Sequence, residues 1–161
     1  SPVLQLGWGG WRLWLPIASV GIDISCVDSS EQMLEFVRSE MDTGPDEVKE
    51  RITLIEHELP EFQQDMKFNL ILIAFNSFLN LLTRKDQQQT LVNVNNMLTD
   101  NGLLIIDILT PKHGDLARGG AAGGLRLLAL QLHGRQAPVL LAADQPDGPA
   151  CGFRAAVLPA L

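Results

Sequence analysis

The strongest constraint on this 161-residue chain is an alternation. Between residues 3 and 109, five short apolar runs are separated by segments of helical periodicity or by turn residues. The runs are Val3–Leu6, "DISCVD" (23–28), "ITLIEHEL" (52–59), "FNLILIAF" (68–75) and "LLIIDIL" (103–109). Strands that alternate with helices do not form hairpins, because each crossover returns the chain to lay the next strand parallel to the last. The expected architecture is therefore α/β, a Rossmann-like doubly wound and mostly parallel sheet that takes ligands at the carboxyl ends of its strands. The fourth run is apolar almost throughout, as a central strand covered on both faces must be.

The intervening segments carry their own signals. Residues 10–19 read as a helix that Pro16 shortens or kinks. Residues 29–41 read as an amphipathic helix, with Ser29 and Gln32 as a capping box and Met33, Val37 and Met41 on one face. "TGPDE" (43–47) reads as a turn-rich linker. Thr83 and Asp86 open a helix over 84–98 with Leu91, Val94 and Leu98 as its buried stripe, and "NG" (101–102) closes it.

Composition changes near residue 113. Residues 1–112 hold two alanines, Ala18 and Ala74, whereas residues 113–161 hold eleven. Sixteen of the nineteen acidic residues also lie in the first part. The expected organisation is a core over 1–112 and an Ala/Gly-rich segment over 113–161. In that segment "LRLLALQL" (125–132) and "APVLLAAD" (137–144) read as a terminal antiparallel strand pair, and the last nine residues carry no signal. The segment is either a terminal stretch of biased composition that completes the sheet or sequence unrelated to the core.

The totals exclude several classes. A net charge of −7 argues against a nonspecific nucleic-acid binder, since little here would neutralise phosphates. Cys26 and Cys151 lack metal-type spacing and make no disulfide framework, so no metal site is expected and a cytoplasmic location is the default. No apolar run reaches the roughly 18 residues of a membrane span.

Polar residues gather where the parallel strands should end. Gly7, Trp8, Gly9 and Gly10 follow the first strand, Asp28, Ser29 and Ser30 close the second, and Glu56, His57 and Glu58 close the third. Asn76, Ser77 and Asn80 follow the fourth. A glycine turn that opens a helix presents backbone amides to a ligand, and an acid about twenty residues later is placed to accept from two ribose hydroxyls. A second acid after the third strand suits an exocyclic amine. Together these describe an adenosine pocket.

In "QLGWGGWR" (5–12), "VDSSEQML" (27–34), "FNSFLNLLT" (75–83) and "TDNGLLIID" (99–107) the chain resembles the class I S-adenosylmethionine-dependent methyltransferases, of the small-molecule methyltransferase-domain type. The resemblance covers residues 2–112 and implies S-adenosylmethionine as cofactor and a small-molecule methyl acceptor. By position it implies that Gly7 and Gly9, with Trp8 between them, line the methionine part of the cofactor. Gln5 takes the place of the acid that anchors the cofactor's amino group. Asp28 would hold the ribose hydroxyls, Ser29 and Met33 would flank the adenine, and Glu58 and Leu59 would meet its edge. Phe75 and Asn76 would border the sulfonium and the acceptor. No catalytic residue is identified.

The chain also departs from the family pattern. Gln5 is neutral where the family has an acid, Trp8 replaces a small residue, Trp11 replaces the third glycine, His57 replaces a glycine and Asn80 replaces a histidine. Helices that precede the first strand in the family have no counterpart before Val3, which leads to an expectation of self-association through exposed apolar surface. Two alternatives therefore stand beside the methyltransferase reading. One is a non-catalytic remnant that keeps the fold as an interaction module. The other is an NAD-dependent oxidoreductase, which shares the glycine turn and Asp28 but leaves "FNSFLNLLT" and Glu58 unexplained.

Overall fold

The computed structural model describes residues 2–7, 11–111, 123–131, 139–144 and 153–157. In chain order the elements are β1 (Val3–Leu6), α1 (Trp11–Ser19), β2 (Ile24–Asp28), α2 (Glu31–Asp42), α3 (Asp46–Lys49), β3 (Ile52–Glu56) and β4 (Phe68–Ile73). A 3-10 helix (Ser77–Asn80) follows, then α4 (Arg84–Met97), β5 (Leu98–Pro111), β6 (Gly123–Gln131), β7 (Val139–Asp144) and β8 (Phe153–Val157). The described strands form one eight-stranded sheet in the order β3-β2-β1-β4-β5-β6-β7-β8.

The first five strands pair with one another in parallel throughout, as the alternation requires. From β1 the chain winds outward through β2 to β3, then returns to place β4 on the other side of β1. The winding therefore reverses between β1 and β4, where an open α/β sheet leaves a crevice at its carboxyl edge.

Both faces of the parallel array are covered. Leu4, Leu6, Ile71, Ile73, Leu104 and Ile106 project into one core, with Val94 and Met97 of α4. Val3, Ile24, Cys26 and Leu72 project into the other, with Trp14 and Ala18 of α1 and Leu34 and Val37 of α2. Each large side chain fully removed from water in these layers contributes roughly 1.5–3 kcal/mol. Trp14 is a packing residue, 1% exposed. The side chain of Trp11 and the whole of Trp8, Gly9 and Gly10 lie outside the described residues.

Local chemistry sets the element ends, and several differ from expectation. Pro16 lies inside α1, which runs three residues further and then stops. Gly21, at φ 87°, terminates it: its N–H donates to Ala18 O and the Ile22 N–H to Ile17 O, the paired bonds of a left-handed helix end. Ser30, not Ser29, caps α2, accepting from the Met33 N–H at 3.4 Å. The shift by one residue follows from Asp28, whose Oδ1 accepts from the Ser30 N–H at 2.9 Å and turns the chain there. The buried stripe of α2 is Leu34 and Val37, with Met33 and Met41 only partly buried beside it. "TGPDE" leads into the one-turn helix α3 rather than remaining a linker.

β3 stops at Glu56 and β4 at Ile73, each short of the expected end. Thr83 caps α4 as expected, accepting from the Asp86 N–H at 3.1 Å. The helix ends at Met97, however, and Asn101–Gly102 falls inside β5. There the pairing with β4 jumps from Phe68↔Leu98 to Leu70↔Leu103, so the Asn-Gly pair lies in a strand irregularity and not at a helix end. α4 buries Thr90, Asn93 and Met97 along with Val94.

β5 pairs antiparallel with β6, β6 with β7 and β7 with β8. The expected terminal pair is thus a run of three strands, and β8 lies in residues that carried no sequence signal. Residues 112–122, 132–138, 145–152 and 158–161, with Cys151, lie outside the described residues.

Candidate cofactor site

The crevice between β1 and β4 opens onto a cleft of about 440 Å³, lined by Gly7, Asp28, Ser29, Met33, Glu58, Leu59, Ser77, Asn80 and Leu81. Four separate strand ends supply these residues. The size falls within the roughly 300–1,000 Å³ of small-molecule sites. Of the sequence-derived residues, Gly7, Asp28, Ser29, Met33, Glu58 and Leu59 lie on the cleft. Gln5 is fully buried and does not line it, and Phe75 lies outside the lining. Trp8 and Gly9 lie outside the described residues.

Gly7 ends β1 at φ 76°, and its N–H donates to Val27 O at 2.9 Å. A Cβ here would overlap Cβ and Oγ of Ser77, so a side chain at this position would fill the space between β1 and the 3-10 helix. Both the dihedral and the close approach demand glycine. Gln5 supports the turn from below: its Nε2 donates to Gly7 O at 3.3 Å. Its Oε1 is buried and, among the described residues, accepts no hydrogen bond. A buried acceptor without a donor costs about 1–3 kcal/mol until one is supplied.

Asp28 is half-buried at the end of β2. Its main-chain oxygen accepts from the His57 N–H at 2.9 Å, joining the β2 end to the loop after β3. The side chain is fixed by the Ser30 N–H, which orients the carboxylate before any ligand arrives. That loop carries Glu58 and Leu59. His57 Nδ1 lies 2.8 Å from Glu58 O, a carbonyl to which an Nδ1–H can donate. The ring packs edge-on against Phe62 at 5.5 Å. His57 thus shapes the loop and is not placed on the cleft.

Asn93 of α4 anchors the next residues. Its Oδ1 accepts from Gln63 Nε2 at 2.7 Å and from Gln89 Nε2 at 2.9 Å, while its Nδ2 donates to Pro60 O at 2.9 Å. Beyond β4 the chain makes a corner at Phe75 and Asn76, both with positive φ, before the 3-10 helix. Ser77 and Asn80 stand on the cleft from that helix and Leu81 from its end. The polar pair was visible as strand-end residues. Leu81 was not, because a leucine in a turn reads as core.

Among the described residues the lining carries two carboxylates, Asp28 and Glu58, and no cationic side chain. No group of three or more potential metal ligands exists among the described residues.

A parallel β3-β2-β1-β4-β5 array with a cleft at the glycine turn after β1 is a Rossmann-like arrangement, the one class I methyltransferases share with dinucleotide-binding folds. The chain belongs to the methyltransferase domain family, whose model it matches over residues 4–104. It is 24% identical over 107 residues to YqeM of Bacillus subtilis (strain 168), which carries a methyltransferase name; the match spans 66% of this chain and 41% of that one. Among solved structures it superposes on the glycopeptide N-methyltransferase MtfA complexed with S-adenosyl-L-methionine. That match has a TM-score of 0.64 at 20% identity and covers 99% of this chain and 71% of MtfA. The CcbJ methyltransferase from Streptomyces caelestis gives a TM-score of 0.64 at 22% identity, covering 96% of this chain and 63% of CcbJ. At these identities the structures establish the fold. The chain spans about two fifths of the length of its curated relative.

Proposed function

We propose that the cleft binds S-adenosylmethionine and that the domain transfers its methyl group to a small-molecule acceptor. The observation that carries this reading is the convergence of Gly7, Asp28, Ser29, Met33, Glu58 and Leu59, drawn from three strand ends, on one cleft at the reversal of the sheet.

The residues present fit the cofactor. Asp28 is held ready to accept from the ribose hydroxyls, and Ser29 and Met33 flank the adenine, with Glu58 and Leu59 at its edge. Gly7 stands on the cleft where the methionine part is assigned, and the resemblance assigns Trp8 and Gly9 to the same part of the cofactor. Gln5, buried and off the lining, is assigned by the resemblance to the cofactor's amino group; its Oε1 has no partner among the described residues. A neutral amide accepts there without the charge assistance that roughly doubles such a bond, so moderate affinity is expected. Phe75 borders the acceptor side.

S-adenosylmethionine supplies a methyl group already activated on a sulfonium. The protein's task is then to align the acceptor's nucleophilic N, O or C behind that methyl and to exclude water, so positioning carries most of the rate. Phe75, Leu79 and Leu82 are exposed apolar side chains on the segment after β4 that also supplies Ser77, Asn80 and Leu81 to the cleft, which favours an acceptor with an apolar body. We assign no catalytic residue.

Residues 1–112 are the proposed cofactor-binding core, and 113–161 the segment that completes the sheet. A cytoplasmic location agrees with the free thiol of Cys26. No helix among the described residues is long and apolar enough to cross a membrane.

Calorimetric titration with S-adenosylhomocysteine, with NAD as control, tests the reading. Saturable binding that disappears in Asp28→Ala supports it. A cooperatively folded sample that binds neither compound would leave the fold as a non-catalytic module, and binding of NAD alone would favour the oxidoreductase.

A further inference from the structure

Phe75 and Asn76 are consecutive non-glycine residues with φ of 55° and 62°. L side chains disfavour this region, and a bulky residue such as Phe disfavours it strongly, so the corner persists only if its surroundings hold it. Both amide protons of the pair go to one residue. The Phe75 N–H donates to Oδ2 of Asp107 at 3.3 Å, and the Asn76 N–H donates to Asp107 O at 3.2 Å. Asp107 lies on β5, one residue beyond the last parallel pair, Ile73↔Ile106. Its second oxygen, Oδ1, is buried and without a partner among the described residues, so the carboxylate is held at a desolvation cost.

The corner leads directly to the cleft. The Leu79 N–H donates to Asn76 O at 2.8 Å, which starts the 3-10 helix, and the first residue of that helix, Ser77, is the one pressed against Gly7. We propose that Asp107 is a positioning residue. It holds the Phe75–Asn76 corner in its left-handed conformation and so seats Ser77 against Gly7 at the edge of the cofactor cleft. The consequence for binding rests on the cofactor reading above, whereas the hold on the corner does not.

The test uses the full chain as wild type, Asp107→Ala, Asp107→Asn and the double variant Asp107→Ala/Asn76→Gly. Amide exchange at Phe75 is read without ligand, and affinity for S-adenosylhomocysteine by calorimetry. In Asp107→Ala the Phe75 amide exchanges at least about tenfold faster and affinity falls about tenfold. Glycine adopts positive φ without strain, so the double variant regains part of the lost affinity, the strain at Phe75 remaining. Asp107→Asn keeps an acceptor oxygen but not its charge; it speeds Phe75 exchange about twofold to fivefold and keeps affinity within about threefold. Unchanged Phe75 exchange in Asp107→Ala overturns the proposal, as does a loss of affinity that glycine at position 76 does not recover even in part. If Asp107→Ala does not fold, Asp107→Asn decides: a Phe75 amide no faster than wild type overturns it. If the wild type binds no S-adenosylhomocysteine, the cofactor reading fails and the exchange result alone judges Asp107.

Discussion

Gly7 and Ser77 approach so closely that a Cβ on Gly7 would overlap the side chain of Ser77. This contact joins the end of β1 to the 3-10 helix after β4, across the point where the sheet reverses direction. Gly7→Ala must therefore force apart two elements and place an L side chain at φ 76°. We expect a loss of about 2–5 kcal/mol in urea unfolding, together with loss of S-adenosylhomocysteine binding. A variant as stable as wild type would show that the crevice yields freely.

Asp28 has a structural and a proposed ligand role, and two substitutions separate them. Asp28→Asn retains an oxygen for the Ser30 N–H, so stability should change by no more than about 0.5 kcal/mol while cofactor affinity falls at least about tenfold. Asp28→Ala should lose both, at about 1 kcal/mol of stability. Equal affinities in wild type and Asp28→Asn would reduce this residue to a turn former.

Gln5→Glu introduces a charge where the amide Oε1 has no donor among the described residues. It also removes the Nε2–H that serves Gly7 O and buries a carboxylate. The free chain should melt at a lower temperature than wild type, while the rise in Tm on adding S-adenosylhomocysteine should be larger. Thermal unfolding with and without ligand reads both, and a smaller ligand-induced rise would count against an amino group near this position.

Burial raises the thiol of Cys26 from its ordinary 9.0 to about 12. The folded state therefore favours the protonated form. Its contribution is fully present below pH 9 and is lost as pH rises from 9 towards 12, at about 1.4 kcal/mol per pH unit. Cys26→Ala should flatten that part of the stability profile, at the cost of a small cavity. Urea midpoints at pH 8, 9 and 10 provide the check.

The strands most legible in the sequence were those buried on both faces. β1 (VLQL), β2 (ISCVD) and β4 (FNLILI) are mostly apolar because helices cover them on each side. Their ends were harder to place, since nothing in Phe75 announces a left-handed residue and its amide finds Asp107 thirty-two residues later. The Asn101–Gly102 pair has turn chemistry, yet pairing with β4 absorbs it as an irregularity in β5. Asn93 reads as a surface residue of α4 until Gln63, Gln89 and Pro60 surround it. Acids and glycines at strand ends were visible because their chemistry is local. The support beneath them comes from distant segments.

β5 is the seam of the sheet, parallel to β4 on one side and antiparallel to β6 on the other. A parallel neighbour demands a crossover that passes over the sheet, whereas an antiparallel one can be added by a simple reversal of the chain. The far side of β5 is thus a permissive margin, where strands can be exchanged or recombined during evolution without rethreading the half that bears the ligand cleft.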